Sequence, residues 1–435
     1  MNLWNAPLER WTEALAQTGD RRAYILGSGS QLEFSHDFLA GPAETMAADA
    51  RDFDAHEGLF FEVGRESSHL FSAFVHRTTR GQSAGGLRFW SYGSFEDLVR
   101  DGLRLSRGMG HKNALAGLWW GGGKGIIARR RDVDHRDPEV RRAVYADYGR
   151  FVSSLRGLYV TAEDVGTTPA DVARLFTTTR HVTCVPPAVG GSGNPSPLTA
   201  RGVVVAMEAA LYHLGRGDLA GKTVAVQGLG NVSSFMVGEL LDRGVARVVG
   251  TDLDGEVVEE VGRRFADHAD RLDLRQTEAS DLSILSTACD VLAPNAVGGM
   301  LNPRTIPRIR APLVCGAANN QLEDPERDAV TLAERGILYV PDFLANRMGI
   351  VNCANEQYGV FEGDPAIEAH LAKETPDGVF RRTLEVIERA ARNERTPADE
   401  AVRLADELMV EVHPIWGHRG LQIIRRLVDE EWYRG

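Results

Sequence analysis

The sequence predicts an α/β protein with two domains, followed by C-terminal helices. Residues 58–90 contain the aromatic and β-branched runs LFFEV and HLFSAFVHRTT, which are typical of strands. From about residue 199 onward, helical and strand patterns alternate, as in βαβ units with a parallel sheet. Between these regions lies VPPAVGGSGNPSPLT, whose Pro, Gly and Ser content indicates a linker. We expect domains at 1–195, 196–352 and 353–435, the first two facing each other across a cleft that closes about the linker.

The composition favours a protein that binds small molecules. The 435 residues are 43% hydrophobic and 25% charged, and the formal net charge of -12 argues against nucleic-acid or anionic-membrane binding by bulk electrostatics. No apolar run approaches the roughly 18 residues of a membrane span, and acidic residues near the N-terminus do not fit a signal peptide. We therefore expect a cytoplasmic protein.

The four cysteines are far apart with no CxxC pair, so we expect reduced thiols and no metal site.

The first half also contains a cationic, glycine-rich segment. A predicted helix, FEDLVRDGLRLSRGM, is followed by a glycine-rich loop that opens near Gly121 and carries Lys124. A second helix, EVRRAVYADYGRFVSSLRG, leads to the strand pattern LYVTAEDVG, with acidic residues where the strand ends. Active sites of α/β proteins usually lie at such carboxyl ends of strands.

The second half carries a dinucleotide-binding fingerprint. GLGNVS places Gly228 and Gly230 between the strand KTVAVQG and a helix, with Ser233 as the third small residue. Asp252 ends the next strand, after the roughly 20 residues that the fingerprint requires. Glycines admit a pyrophosphate, the helix N-terminus attracts it, and the carboxylate can accept bonds from ribose hydroxyls. Because Asp252 would repel a 2′-phosphate and LDGEVVEE offers no cation, we expect NAD.

Lys112 and Lys124 lie close in sequence among glycines and large apolar residues. If both side chains point into the cleft, each cation disfavours the charge of the other, and apolar surroundings lower a lysine pKa further. Lys124 could then act as a base near neutral pH. The alternative is that both are solvated loop lysines paired with surface carboxylates.

Eight motifs in order and spacing give the chain a resemblance to the glutamate/leucine/phenylalanine/valine dehydrogenases, most of all to the leucine dehydrogenase branch. The resemblance covers about residues 55 to 415. The motifs are GGLRFWSY, GMGHKNALAGLWWGGGKGII, TAEDVGTT, GNPSPLTARGV, VAVQGLGNV, DVLAPNAVGG, CGAANNQL and NRMGIVNCANEQYG.

The resemblance implies a role for each matching residue. Lys112 would bind the substrate α-carboxylate with help from Asn346, Lys124 would be the catalytic base acting through water, and Asp164 would move a proton at the amino group. Asn319 and Asn320 would lie near the nicotinamide. The residues expected to contact the cofactor are Gly228, Gly230, Asn231, Val232, Asp252, Ala296, Asn319 and Asn320.

The implied reaction is NAD-dependent, reversible oxidative deamination of an L-amino acid to a 2-oxo acid and ammonia, performed by a homo-oligomer. Two alternatives remain open at this stage. The same scaffold could couple a 2-oxo acid to a second molecule in a biosynthetic pathway, or the chain could be a non-catalytic NAD-binding regulator.

The residues expected to form the substrate side-chain pocket are Ala84, Gly85, Gly86 and Ala162, with residues near Val379 and Thr383 as further walls. Ala84 stands where the resembling glutamate dehydrogenases carry a lysine for the distal carboxylate, so glutamate should be a poor substrate and large apolar or aromatic side chains should fit. The alternative is that Phe89, Trp90 or Met348 fills this space.

Two departures from the family pattern stand out. Arg347 and Met348 replace small residues, and a cation there could narrow the cleft or meet a second anion. The N-terminal 50 or so residues and the end VHPIWGHRGLQIIRRLVDEEWYRG have a helical, partly apolar pattern, which is consistent with a subunit interface or with a helical cap.

Overall fold

The computed structural model describes residues 2–28, 31–49 and 51–435 and divides the chain into two compact units. The first comprises Met1–Gly193, Glu356–Val360 and Asp406–Gly435, and the second comprises Asn194–Asn355 and Phe361–Ala405. The first division falls inside the predicted linker. The α/β fold class is confirmed, and the ranges 1–195, 196–352 and 353–435 stay predictions as functional domains.

The first unit is built on a mixed seven-stranded sheet in the order β2-β1-β3-β4-β6-β5-β7. Strands β5, β6 and β7 pair in parallel, and the other pairs are antiparallel. Its elements up to the linker are α1 (Leu8–Gln17), β1 (Arg22–Ser28), β2 (Gln31–Phe34), α2 (Ala40–Ala47), β3 (Gly58–Val63), β4 (Leu70–Val75), β5 (Ser83–Trp90), α3 (Phe95–Leu115), β6 (Gly121–Ala128), α4 (Pro138–Ser154), β7 (Tyr159–Glu163) and α5 (Pro169–Phe176).

Helices cover both faces of this sheet. Because successive side chains of a strand point to opposite faces, Phe74 and Ile126 pack with α1 and α3, whereas Phe71 and Phe89 pack with α4. The packing of α3 on one face brings its last turn, which carries Lys112, to the start of β6. This arrangement positions the candidate site.

The glycine-rich segment is a buried strand, so the predicted loop at Gly121 is wrong. All eight residues of β6 are buried in the middle of the sheet. A Cβ at Gly121 would lie 2.0 Å from the Arg77 carbonyl oxygen, and one at Gly122 would lie 2.3 Å from the Ser106 carbonyl oxygen. The glycines are therefore required for the close approach of α3 and of the segment that follows β4, not for a turn.

The N-terminal region is only partly helical, unlike its predicted pattern. The run Arg22–Ser28 is a strand that pairs with β2 and β3, because its aromatic and branched residues are buried on a pleated surface. Trp11 and Leu15 of α1 are fully buried in the same unit.

The second unit is built on a parallel six-stranded sheet in the order β10-β9-β8-β11-β12-β13. The predicted strand, helix and strand around GLGNVS are confirmed. The elements from the linker onward are α6 (Ser196–His213), β8 (Thr223–Gln227), α7 (Asn231–Asp242), β9 (Arg247–Asp252), α8 (Gly255–Arg264), β10 (Leu272–Gln276), β11 (Val291–Pro294), β12 (Leu313–Val314), α9 (Pro325–Glu334), β13 (Leu338–Tyr339), α10 (Asp342–Ala345), α11 (Met348–Glu356), α12 (Pro365–Leu371), α13 (Val379–Arg392) and α14 (Pro397–Met409).

The last helix, α15 (Arg419–Asp429), belongs to the first unit. Ile424 and Leu427 are buried in the core cluster that contains Phe60 and Phe151. The apolar side of this helix is thus covered within its own unit, as a helical cap would be. Across the described ranges, no helix is both long and apolar enough to span a membrane.

Candidate active site

Five of the predicted site residues share one face of the first sheet. Gly86 pairs with Ala162, and Ala84 pairs with Gly122, two residues before Lys124. Side chains alternate along strands, so Ala84, Gly86, Lys124 and Ala162 point to the same side. Asp164 follows β7 immediately and joins them, because a Cβ on Gly86 would lie 2.7 Å from the Asp164 Cβ.

Lys124 and Asp164 form an ion pair in which the Lys124 ammonium donates a hydrogen bond to the carboxylate. Lys124 is buried, whereas the Asp164 side chain is 26% exposed. Burial by itself would raise the pKa of Asp164, but the charge and hydrogen bond of Lys124, the Val165 N–H and the charge of Arg88 lower it. Asp164 is therefore held as a carboxylate. The sequence predicts only Lys112 as an electrostatic neighbour of Lys124; Asp164 lies 40 positions further along the chain and becomes a partner only in the folded sheet.

Lys112 lies in the last turn of α3 and is half-buried. The neighbouring Asn113 fixes this helix end, since its side-chain Nδ2 donates to the Gly121 carbonyl at 2.8 Å. His111, on the other side, lies 3.1 Å from the Asp406 carboxylate through its Nε2. Asn113 was missed in the sequence, although it directly follows Lys112 in the matched motif.

Gly85 differs from its neighbours in orientation. It points to the opposite face from Ala84 and Gly86, and a Cβ there would lie 1.8 Å from the Gly123 carbonyl oxygen. Its own carbonyl accepts a hydrogen bond from the Tyr159 hydroxyl at 2.7 Å. Its position in the strand thus depends on having no side chain.

The second unit forms the predicted dinucleotide turn between β8 and α7. Gly228 has φ +88, which favours glycine, and a Cβ there would lie 2.8 Å from the Ala296 Cβ. A Cβ on Gly230, in contrast, would meet nothing within 4 Å. The Asp252 carboxylate accepts a hydrogen bond from the Leu229 N–H at 2.6 Å. The open space at Gly230, before the first turn of a 12-residue helix, fits a pyrophosphate.

A network of asparagine hydrogen bonds in the second unit includes two predicted site residues, Asn346 and Asn319. The Asn346 Nδ2 donates to Asn319 Oδ1 at 2.8 Å and to the Ala317 carbonyl at 3.0 Å. The Ala317 N–H donates to Asn295 Oδ1 at 2.6 Å, and Asn295 Nδ2 donates to Ser233 at 2.9 Å. Asn295, which lies inside the matched motif DVLAPNAVGG, was missed in the sequence.

The remaining residues predicted to contact the cofactor are Asn320, Asn231, Ala296 and Val232. Asn320 has φ 54, and its carbonyl accepts from the Gly299 N–H at 2.8 Å. Asn231 and Ala296 are exposed, and Val232 is half-buried.

Arg347 and Met348 point into the second unit. The Arg347 side chain is fully buried, its guanidinium donates to the Asp377 carbonyl, and burial together with the charge of Arg382 lowers its pKa to about 9. Met348 packs against α6, since a Cβ on Gly202 would lie 2.5 Å from the Met348 Cγ. Neither side chain is placed to meet a substrate anion at the surface of the unit.

The described part of the chain contains no group of three or more His, Cys, Asp or Glu side chains arranged for a metal ion. All four cysteines are free thiols. Burial raises the pKa of the half-buried Cys289 to about 12, so its thiol stays protonated.

A buried lysine–carboxylate pair on a mixed sheet and a dinucleotide turn on a parallel sheet define a nucleotide-dependent oxidoreductase. The chain belongs to the glutamate/leucine/phenylalanine/valine dehydrogenase family. The family model described as "Glutamate/Leucine/Phenylalanine/Valine dehydrogenase" matches residues 190–405. A second one, "Glu/Leu/Phe/Val dehydrogenase, dimerisation domain", matches residues 61–181.

Similar proteins include leucine, valine and tryptophan dehydrogenases. A leucine dehydrogenase of Geobacillus stearothermophilus is 41% identical over 309 residues, which are 70% of this chain and 79% of that protein. A valine dehydrogenase of Streptomyces coelicolor is 39% identical over 83% of this chain and 94% of its own. The crystal structure of L-tryptophan dehydrogenase from Nostoc punctiforme is 34% identical, with a TM-score of 0.68, covering 81% of this chain and 96% of that one.

The predicted resemblance to the leucine dehydrogenase branch is confirmed. The chain is an amino-acid dehydrogenase, an oxidoreductase that acts on CH–NH2 groups and uses a nicotinamide dinucleotide. These relatives favour dehydrogenation over 2-oxo-acid coupling and over a non-catalytic role.

Proposed function

We propose that the chain catalyses the NAD-dependent, reversible oxidative deamination of an L-amino acid with an apolar or aromatic side chain. The observation that carries this proposal is the Lys124–Asp164 ion pair, which shares a sheet face with Ala84, Gly86 and Ala162. The pair combines a proton donor and a proton acceptor beside small, uncharged residues.

The proposed roles on the first unit follow from these positions. Lys112 binds the substrate α-carboxylate by charge. Asp164, held as a carboxylate, accepts a proton from the substrate ammonium and leaves a neutral amine. The nicotinamide, when bound, supplies the acceptor for the hydride that leaves Cα.

Lys124 then serves as the base for hydration. A water attacks the iminium carbon while Lys124 takes a proton from it, and the carbinolamine collapses to 2-oxo acid and ammonia. Lys124 must first release the proton with which it binds Asp164. Asp164, whose side chain is 26% exposed, first passes the proton of the substrate ammonium to solvent; it then takes the Lys124 proton through their hydrogen bond and passes that one to solvent as well.

The proposed groups on the second unit are Asn346, which assists at the carboxylate, and those that hold the cofactor. They are Gly228, Gly230, Asn231, Val232, Asp252, Ala296, Asn319 and Asn320. The choice of NAD rests on Asp252 and on the strand beside it. Asp252 pairs with Gln276 of β10, an uncharged residue, whereas Arg275 points to the opposite face and binds Asp273 at 2.8 Å. No cation of β10 therefore stands beside Asp252 to receive a 2′-phosphate.

The proposed side-chain preference rests on Ala84. Its neighbours on the same face are Val160, Gly122 and Gly86, and none offers a positive charge to a distal carboxylate. A buried, unpaired carboxylate costs several kcal/mol. Phe89 does not fill this space, because it points to the opposite face and packs against Tyr145 at a ring distance of 6.0 Å.

We also propose a homo-oligomer, since the family description that matches residues 61–181 names a dimerisation domain. Sedimentation of the purified chain tests this point, and a monomer at all concentrations would contradict it.

The function is tested by mixing the purified chain with NAD and single L-amino acids at alkaline pH. NADH absorbance should rise with leucine, valine, phenylalanine or tryptophan and stay near the baseline with glutamate. Asp164→Asn protein, with the carboxylate removed and the shape kept, is the matched control and should be inactive. Glutamate as the best substrate, or full activity of Asp164→Asn, would contradict the proposal.

A further inference from the structure

Arg88 lies beside Asp164 on the sheet face described above. Leu87 pairs with Glu163 at the end of the parallel register of β5 and β7, and the Phe89 N–H donates to the Val165 carbonyl at 2.9 Å. Arg88 and Asp164, which lie between these two contacts, are therefore side by side. Arg88 shares the face of Gly86 because side chains alternate. Its charge acts on Asp164, and the charge of Asp164 acts in turn on Arg88.

The other side of Arg88 is fixed by α3. Its Nη1 donates to both carboxylate oxygens of Asp101, at 3.0 and 2.8 Å. The Tyr92 hydroxyl donates to the same carboxylate at 2.6 Å. The guanidinium is thereby oriented from the helix whose last turn carries Lys112. The Arg88 side chain is 23% exposed, so solvent screens its charge only in part.

The result is a row of alternating charges in the order Asp101, Arg88, Asp164, Lys124. The two cations beside Asp164 differ in kind. A lysine can lose its proton during a reaction. Burial lowers the pKa of Arg88, but the charges of Asp101 and Asp164 raise it by more, so this guanidinium stays charged throughout the reaction. Other ionisable groups that interact with Asp164 are Glu163, on the same strand end, and the buried Tyr159.

We propose that Arg88 is a positioning residue of the reaction, which supplies a permanent positive charge to Asp164 and so keeps this carboxylate ionised while Lys124 is neutral. The inference rests on the proposed function, in which Lys124 gives up its proton to act as a base. At that moment the ion pair no longer holds Asp164, and Arg88 is the cation that remains beside it. Without Arg88, Asp164 would keep the proton it should relay.

The test is the pH dependence of kcat/KM for Arg88→Gln and Arg88→Lys. Glutamine can still hydrogen-bond to Asp101 but carries no charge. The apparent pKa on the acid side of the kcat/KM profile (the acid limb) should therefore rise by about one unit. This is the lower end of the shift that a neighbouring opposite charge causes. Lysine keeps the charge, so its acid limb should stay within a few tenths of a unit of wild type. The KM for NAD should stay unchanged in both, because the cofactor groups belong to the second unit.

Equal acid limbs for the two variants and wild type would overturn the inference. If Arg88→Gln does not fold, as judged by thermal melting, Arg88→Met is measured against Arg88→Lys with the same criterion. Asp164→Asn separates the proposed function from the proposed role of Arg88. Full activity of Asp164→Asn contradicts the proposed function itself, whereas an inactive Asp164→Asn with a wild-type profile for Arg88→Gln contradicts only the role of Arg88.

Discussion

The ammonium of Lys124 donates a hydrogen bond to the carboxylate of Asp164, although the two residues lie on different strands of the sheet. Lys124 is in the middle of β6, and Asp164 follows the end of β7, with β5 between them. The absence of a side chain at Gly86, on the intervening strand, leaves room for the contact, since a Cβ there would lie 2.7 Å from the Asp164 Cβ.

Replacing Lys124 by alanine should abolish turnover and leave cofactor binding nearly intact. The lysine belongs to the first unit and the dinucleotide turn to the second. General-base catalysis contributes roughly 10²–10⁴-fold, so we expect kcat to fall at least about a hundredfold. Lys222→Ala, in the second unit, is the control and should keep wild-type kcat. NADH fluorescence titration and steady-state kinetics measure the two effects, and a kcat loss of less than tenfold would argue against the base.

Asp252→Ser should reduce the preference for NAD over NADP. Asp252 is held by the Leu229 and Asp254 N–H groups, which aim its carboxylate from the end of β9. Removing the charge removes its repulsion of a 2′-phosphate. The ratio of kcat/KM for the two cofactors should fall at least about tenfold, which corresponds to about 1.4 kcal/mol. Asp254→Ser, at the start of α8, is the matched control and should keep the wild-type ratio. An equal fall of the ratio in both variants would show that Asp252 does not set the cofactor preference.

Ala84→Leu should select against large substrates. The alanine is 1% exposed and lies among Gly122, Gly86 and Val160, so added carbons must take space from the substrate side chain. We expect kcat/KM for phenylalanine to drop about tenfold or more relative to valine. Phe89→Leu changes the opposite face and should leave this ratio unchanged. An unaltered ratio in Ala84→Leu would place the pocket elsewhere.

Gly122→Ala should destabilise the first unit, whereas Gly108→Ala should not. A Cβ at Gly122 would lie 2.3 Å from the Ser106 carbonyl oxygen and 2.7 Å from the Gly110 nitrogen, both backbone atoms of α3. Overpacking of this kind costs about 1–3 kcal/mol. Gly108 is exposed on the same helix with nothing within 4 Å of an added Cβ, so alanine there should be neutral or stabilising. Thermal melting compares the two, and equal melting temperatures would contradict the close-packing account.

Stability should fall as the pH drops from 6.5 towards 4. Burial lowers the pKa of His69 to about 4, and burial also lowers that of His370 to about 4. Between these values and 6.5 the unfolded chain binds protons that the folded chain excludes, so acid favours unfolding, with each histidine contributing at most on the order of 3 kcal/mol. His69→Gln should flatten the dependence of melting temperature on pH, and the exposed His213→Gln should not. A steeper acid loss in His69→Gln would contradict this.

The second sheet and its turn were predictable because their signals are local. Gly228, Gly230 and Asp252 are spaced by the geometry of one βαβ unit, which a short sequence window contains. The first unit was harder to predict, since GGGKG has the composition of a loop. Its burial depends on the packing of α3 and on pairing with β4, which lies before α3 in the chain. Local glycine content cannot distinguish a turn from a strand that a helix must approach closely.

The proposed roles of individual residues show the same limit. Lys124 and Asp164 were singled out separately, but their contact requires the strand order β6-β5-β7, which no periodicity reveals. Arg88 and Asn113 lay inside matched motifs without a role, because Asp101 and Gly121 become their partners only in the folded sheet. Arg347 shows the reverse case, since the sequence suggested a cation that could narrow the cleft or meet a second anion, and the structure buries its side chain within the second unit.

The return of the C-terminal segment to the first unit has a consequence for synthesis on the ribosome. Trp432 donates its indole N–H to Ser154 at 3.0 Å, and Leu427 packs in the core with Phe60. The second unit, by contrast, is complete at Ala405. Most of the first unit is translated first, but its core cannot be completed until the last helix has been synthesised. During that interval the nascent chain exposes apolar surface that a chaperone can bind.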